Sequence, residues 1–139
     1  MVPRWSALLA LQRATHTTLH VLSEQVADLG LTPAEINVLA NLSDGKPRTV
    51  SELGRLAGAA PTTLTSVLDR LDRRGHVTRG RHPFDRRAVV VELTPAGRRA
   101  ATTIRQAIGR LERRALAALD TEAIAALRAG LDALAEVDG

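Results

Sequence analysis

The chain has 139 residues, 45% of them apolar, which is enough for one domain with its own core. Trp5 and Phe84 are its only Trp, Phe or Tyr residues and it has no cysteine, so the interior must be built from Leu, Ala, Val and Ile, and disulfides, thiolate metal sites and thiol redox sensing are excluded. The net charge of +4 is concentrated: residues 48–87 hold nine arginines against four carboxylates, while the remainder holds ten basic and eleven acidic groups, an asymmetry that points to a polyanion partner.

In chain order, residues 4–29 read as one long helix. Leu8, Leu11, Thr15, Leu19, Leu22, Val26 and Leu29 recur at steps of three and four, and Gly30 supplies the stop. The short apolar stretch near the start is broken by Gln12 and Arg13, which reads as an amphipathic helix rather than a signal peptide. No apolar run approaches the ~20 residues of a bilayer span, so no membrane partner is expected and the expected location is cytoplasmic.

Thr32-Pro33-Ala34-Glu35 is a capping box with proline at the first helical position, opening a helix that carries Ile36, Leu39, Ala40 and Leu42. Thr49-Val50-Ser51-Glu52 is a second such box, starting a short helix with Leu53, Leu56 and Ala57 facing inward and Gly58 at its end. A fourth helix runs from Pro61 to Gly75 with the apolar stripe Leu64, Val67, Leu68 and Leu71. A strand around His76 to Arg79, a turn from Gly80 to Arg87 and a β-branched strand from Ala88 to Leu93 follow. Thr94-Pro95 then opens a long helix with the seam Ile104, Ile108, Leu111 and Ala115. Asp120 or Thr121 caps a last helix carrying Ile124, Leu127, Leu131 and Leu134.

The fold class expected from this order is mainly α: a winged helix-turn-helix with long N- and C-terminal dimerisation helices and a small two- to three-stranded wing sheet. One domain spans 1–139, with 31–98 as the winged lobe and 1–30 and 99–139 as the end helices. The apolar seams of the end helices need partners, and a two-fold homodimer supplies them.

The candidate site lies between Pro61 and Arg87. A helix fits the major groove of DNA, and a two-stranded ribbon with a cationic tip reaches the backbone or minor groove beside it. Pro61 has no N–H to lose at a helix start, and the next free N–H groups suit a phosphate. Thr62, Thr63, Thr65 and Ser66 can meet base edges, thymine methyls or backbone oxygens. Arg70 and Arg73 are placed for phosphates or a groove edge. In the wing, Arg79 and Arg81 flank the turn, Asp85 is expected to orient a neighbouring arginine by a charge-assisted hydrogen bond, and Arg86 or Arg87 to enter the minor groove. His82 beside Pro83 is expected to shape the turn.

These residues carry a family resemblance. The segments LTPAEINVLANL, TVSELGRLAGAAPTTLTSVLDRLDRRGHV and DRRAVVVELTPAG, with Asp85 and Arg87 as an Asp-x-Arg pair before Leu93-Thr94, are similar to those of the MarR family of winged-helix regulators over essentially the full length. The resemblance implies a triangular, all-helical dimer with small winged lobes that binds palindromic double-stranded DNA as a repressor or, less often, an activator. It also implies a small-molecule effector, since many relatives release DNA on binding aromatic or anionic ligands. The family often carries arginine where this chain has Ser66, and serine or threonine where it has Ala60. Base preference is therefore expected to rest more on the threonines.

Other readings are weaker. His16, His20 and Glu24 share a helix face at a zinc-compatible spacing, but surface histidines suffice to explain them and no metal or other cofactor is expected. An enzyme is not expected, because there is no phosphate-cradling glycine loop, no cysteine or tyrosine and no carboxylate cluster. The alternative function is a protein-interaction dimer whose winged unit has lost DNA binding.

Overall fold

The computed structural model describes residues 3–138. Six helices and three short strands follow one another as α1 (Ala7–Gln25), α2 (Pro33–Asn41), β1 (Arg48–Thr49), α3 (Val50–Ala57), α4 (Pro61–Arg73), β2 (Val77–Arg81), β3 (Val89–Leu93), α5 (Pro95–Ala115) and α6 (Thr121–Ala135). The strands form one antiparallel sheet in the order β1-β3-β2. β2 and β3 pair from Val77↔Leu93 to Arg81↔Val89, and β1 adds Arg48↔Val91 and Thr49↔Val90. The third strand is the two residues that lead directly into α3.

Local chemistry sets most of the boundaries. Ser6 caps α1 by accepting the Leu9 N–H at 3.2 Å, so the helix begins three residues later than its apolar spacing suggests. It ends in a 3-10 turn, Ala27–Leu29, closed by Gly30 at φ 63°, a left-handed conformation that glycine adopts without a Cβ penalty. At α2 the capping box is complete: Glu35 N–H donates to Thr32 Oγ1 at 3.2 Å and Thr32 N–H to Glu35 Oε1 at 3.0 Å. At α3 only half of the expected box forms, with Glu52 N–H on Thr49 Oγ1 at 3.1 Å. Thr49 there is also the last residue of a strand, paired with Val90.

The core is aliphatic throughout. Leu22 and Val26 of α1 meet Ile36, Val38, Leu39 and Leu42 around α2, Leu53 of α3, and the α4 stripe of Leu64, Val67, Leu68 and Leu71. Val77, Val91 and Leu93 close it from the sheet, and Ala100, Ala101, Ile104 and Ala107 from α5. The first half of α5 thus belongs to the same core as the winged unit, and the boundary drawn at 98/99 falls inside that helix.

Leu56 departs from expectation. It is 50% exposed, because the inward face of α3 is centred on Leu53 with Val50 and Ala57 partly buried beside it, and Leu56 lies on the far side of Leu53 from those two. The ends of the chain also leave apolar side chains uncovered. No residue of α6 is buried, Leu127, Leu131 and Leu134 are all exposed, and Leu8 and Leu9 of α1 are too.

Candidate nucleic-acid interface

The start of α4 leaves backbone donors available. Ala60 occupies the cap position in extended conformation (φ −64°, ψ 150°) and offers no side-chain oxygen. The first helical bond is Leu64 N–H to Ala60 C=O at 2.9 Å. The N–H groups of Thr62 and Thr63 therefore precede the helical ladder, at the positive end of the helix dipole. Both residues are exposed.

The remaining polar side chains of α4 are partly committed. Thr65 Oγ1 donates to Pro61 C=O at 2.9 Å, which leaves it an acceptor for anything outside. Ser66 Oγ accepts from Arg70 Nη1 at 2.9 Å. The Arg70 guanidinium thus leans one turn back towards the helix start, as helical side chains do, rather than lying further along the helix. Arg73 remains exposed, with Nε donating to Asp69 C=O at 3.3 Å.

Arg79 takes a different position from its neighbours in the wing. Its Nη1 pairs with Asp69 Oδ1 at 2.7 Å and its Nε with Asp72 Oδ2 at 3.1 Å, bracing β2 against α4. The Asp69 hydrogen bond, helped by Asp72, raises its pKa above the ordinary arginine value. The brace also pairs two carboxylates, Asp69 and Asp72, that stay about half exposed beside the face carrying Thr62 and Ser66. Arg81, Arg86 and Arg87 are exposed.

Asp85 meets its neighbouring arginine through the backbone. Its carboxylate makes no ion pair with an arginine among the described residues; instead Oδ1 accepts the backbone N–H of Arg87 at 3.0 Å. Two residues of separation favour this local turn bond over a reach to a flexible guanidinium. His82 shapes the turn as expected: its Nδ1 accepts the N–H groups of both Phe84 and Asp85 at 3.1 Å. Ala88 N–H on Asp85 C=O and His82 N–H on Ala88 C=O complete a wing tip tied at each bend.

Helix and wing share one cleft with the start of α3. Thr49, Val50 and Ser51 line it from α3, Thr65 and Leu68 from α4, and Arg79, Asp85, Arg87, Ala88 and Val89 from the wing. Thr49 and Ser51 were absent from the sequence-derived site, although a hydroxyl at a helix cap directly after Arg48 was the available signal. Their position beside Arg87 suits a phosphate oxygen.

A second polar cluster lies behind α4. Arg74 donates to Gly30 C=O at 2.7 Å and Leu29 C=O at 3.0 Å, tying the end of α4 to the end of α1. Glu35, only 2% exposed, turns its Oε2 towards Arg74 Nη1 at 4.0 Å, the outer limit of an ion pair. His76 adjoins them, and burial, reinforced by the Arg74 charge and opposed by Glu35, holds its pKa below the usual 6.5. On α1, His20 Nε2 meets Glu24 Oε1 at 3.2 Å in an exposed pair that His16 does not join.

A three-helix unit with a short strand before α3 and a β2–β3 ribbon after α4 is a winged helix-turn-helix. Residues 29–88 match the family model described as the MarR family. Over 81 residues the chain is 35% identical to the HTH-type transcriptional repressor YetL of Bacillus subtilis, covering 57% of this chain and 48% of that protein. Over 89 residues it is 33% identical to the multiple antibiotic resistance protein MarR of Escherichia coli, covering 64% and 62%. A crystal structure of a probable transcriptional regulator from Pseudomonas aeruginosa superposes with a TM-score of 0.73 at 31% identity, covering 94% of this chain and 97% of the other. The chain carries the MarR-family unit in residues 29–88. It spans about half the length of the curated relatives it matches, and those relatives are regulators of transcription, not enzymes.

Proposed function

We propose that this protein is a sequence-specific, double-stranded DNA-binding regulator of transcription, acting as a homodimer on a palindromic site, most simply as a repressor. One observation carries the reading: the start of α3, one edge of α4 at Thr65 and Leu68, and the wing line a single cleft, with Thr49, Ser51 and Arg87 on its other walls. α4 enters the major groove, where Thr62 and Thr63 meet base edges and their free N–H groups a phosphate. Arg81, Arg86 and Arg87 follow the backbone into the adjoining minor groove. Arg79 is the brace that fixes the distance between helix and wing, and Asp85 fixes the backbone of Arg87.

Residues 1–30 and 99–139 supply the dimer contacts in this reading. α1 and α6 of one chain already form an apolar cleft, lined by Leu11, Ala14, Leu127, Leu131 and Leu134, that is open to a second copy. A smaller cleft of about 320 Å³ between α1 and α5, with Leu22, Ile108, Leu111 and Leu116 in its walls, has the aliphatic lining a small-molecule effector would meet.

Selection of sites from a random DNA pool followed by binding titrations tests the proposal. Arg87→Ala is expected to weaken binding to many sequences and to lower the salt slope by about one, because it neutralises a phosphate. Thr63→Ala is expected to change the ranking of sites instead. Equal weakening of every site by both substitutions would refute the division between reading helix and anchoring wing. Failure to select any duplex at low salt would refute DNA binding itself.

A further inference from the structure

The chain builds its core without an aromatic ring, yet it places its single phenylalanine at the tip of the wing. Phe84 is 95% exposed, more than any other large apolar side chain among the described residues. Exposed apolar side chains scattered singly are ordinary, but this one stands on a turn that is held in shape. Phe84 N–H and Asp85 N–H both bind His82 Nδ1, Asp85 Oδ1 holds Arg87 N–H, and Ala88 N–H closes the turn on Asp85 C=O. The His82 ring supports the phenyl group edge-on, with centroids 6.2 Å apart and planes at 61°. Arg81, Arg86 and Arg87, all exposed, flank it in sequence.

An uncovered aromatic ring on a tied turn, between arginines, has the composition of a DNA wedge. The cations draw the tip to the phosphates, and the ring brings a water-exposed apolar surface that its own chain does not cover. Stacked base pairs offer such a surface once a step is opened, and apolar side chains inserted from the minor groove open steps and kink the duplex. We propose that Phe84 inserts into or against a base step at the outer edge of the bound site, unstacking it and bending the DNA. Specificity then gains a component at positions that no polar side chain reads, since flexible pyrimidine–purine steps open most easily. This inference rests on the DNA-binding reading above.

The test uses the full chain and a duplex that it selects from a random pool, with 2-aminopurine substituted for adenine in the flanking steps and a fluorophore pair at the ends. Wild-type protein is expected to raise the 2-aminopurine signal at one flanking step on each side and to shorten the end-to-end distance. Phe84→Ala is expected to bind about tenfold more weakly, with an unchanged salt slope and no rise in 2-aminopurine fluorescence. Phe84→Trp should restore both signals. Wild-type binding with silent 2-aminopurine, or a Phe84→Ala variant with wild-type fluorescence and affinity, overturns the wedge and leaves the DNA-binding reading intact. A fall in salt slope in Phe84→Ala, like that expected for Arg87→Ala, would show that the ring merely props up the arginines, and this too overturns it. If no duplex is selected at all, the underlying reading fails first.

Discussion

Single atoms decide how α5 meets the winged unit. A Cβ placed on Gly97 would lie 1.9 Å from the His76 carbonyl oxygen, a backbone atom that also accepts the Thr94 N–H at 3.0 Å and cannot swing aside. Gly97→Ala is therefore expected to lower stability by about 2 kcal/mol, read by chemical denaturation, because α5 must back away from the sheet. His76 itself makes stability depend on pH. Its folded pKa lies below the unfolded 6.5, so the unfolded chain takes up a proton first as pH falls. Its contribution is complete above 6.5 and is lost below it, down to the folded pKa. Thermal midpoints measured from pH 8 to pH 5 should decline, and His76→Gln should flatten that decline. None of this was legible in the sequence, where His76 and Gly97 are twenty-one residues apart in number and only the fold sets one against the other.

At the scale of elements, what was legible was whatever neighbours along the chain control. The stripe Leu64, Val67, Leu68 and Leu71 is buried as the helical period requires, and the Thr32–Glu35 box closes on itself. The misreadings are instructive. Leu56 was assigned inward because it is apolar, but an eight-residue helix buries only a narrow face, and that face is on the other side of Leu53. Asp85 was expected to orient a neighbouring arginine, and it holds Arg87 by the backbone N–H two residues on, which is already ordered. Arg79 looked like one more wing cation, until the fold set it against Asp69 and Asp72. Exposed ion pairs of this kind stabilise by well under about 1 kcal/mol each, so Arg79→Ala should unfold at nearly the wild-type denaturant concentration. Its DNA affinity is expected to drop about tenfold all the same, because two carboxylates are then left unpaired beside the phosphates and the wing loses its brace. A parallel loss in Arg79→Ala and in an Asp69→Asn, Asp72→Asn, Arg79→Ala triple variant would show that the brace matters more than the uncovered charge.

For the whole molecule, the decisive feature is the mismatch between a well-buried aliphatic core around α2 and the uncovered leucines at the chain ends. Leu127 is 42% exposed and Leu131 38%, on a helix that buries nothing within one chain. If a second copy covers them, Leu127→Asp with Leu131→Asp should give a monomer by sedimentation at micromolar concentration, with helix content retained. Its DNA binding should fall much further than its stability, since two lobes held together bind far more tightly than one. A doubly substituted protein that still sediments as a dimer would move the interface elsewhere.

The sequence by itself determined the six helices, the wing hairpin, most of the caps, the winged order and the clustering of positive charge in the middle of the chain. All of these depend on residues within a few positions of each other, where periodicity and hydrogen-bonding reach are short and regular. Tertiary structure alone decided which arginines are spent on the protein and which face outward, that Glu35, Arg74 and His76 gather behind α4, and that the one phenylalanine stands clear of the core. Charge and hydrophobicity are properties of a residue, but availability is a property of its surroundings, and those are settled only when distant segments meet.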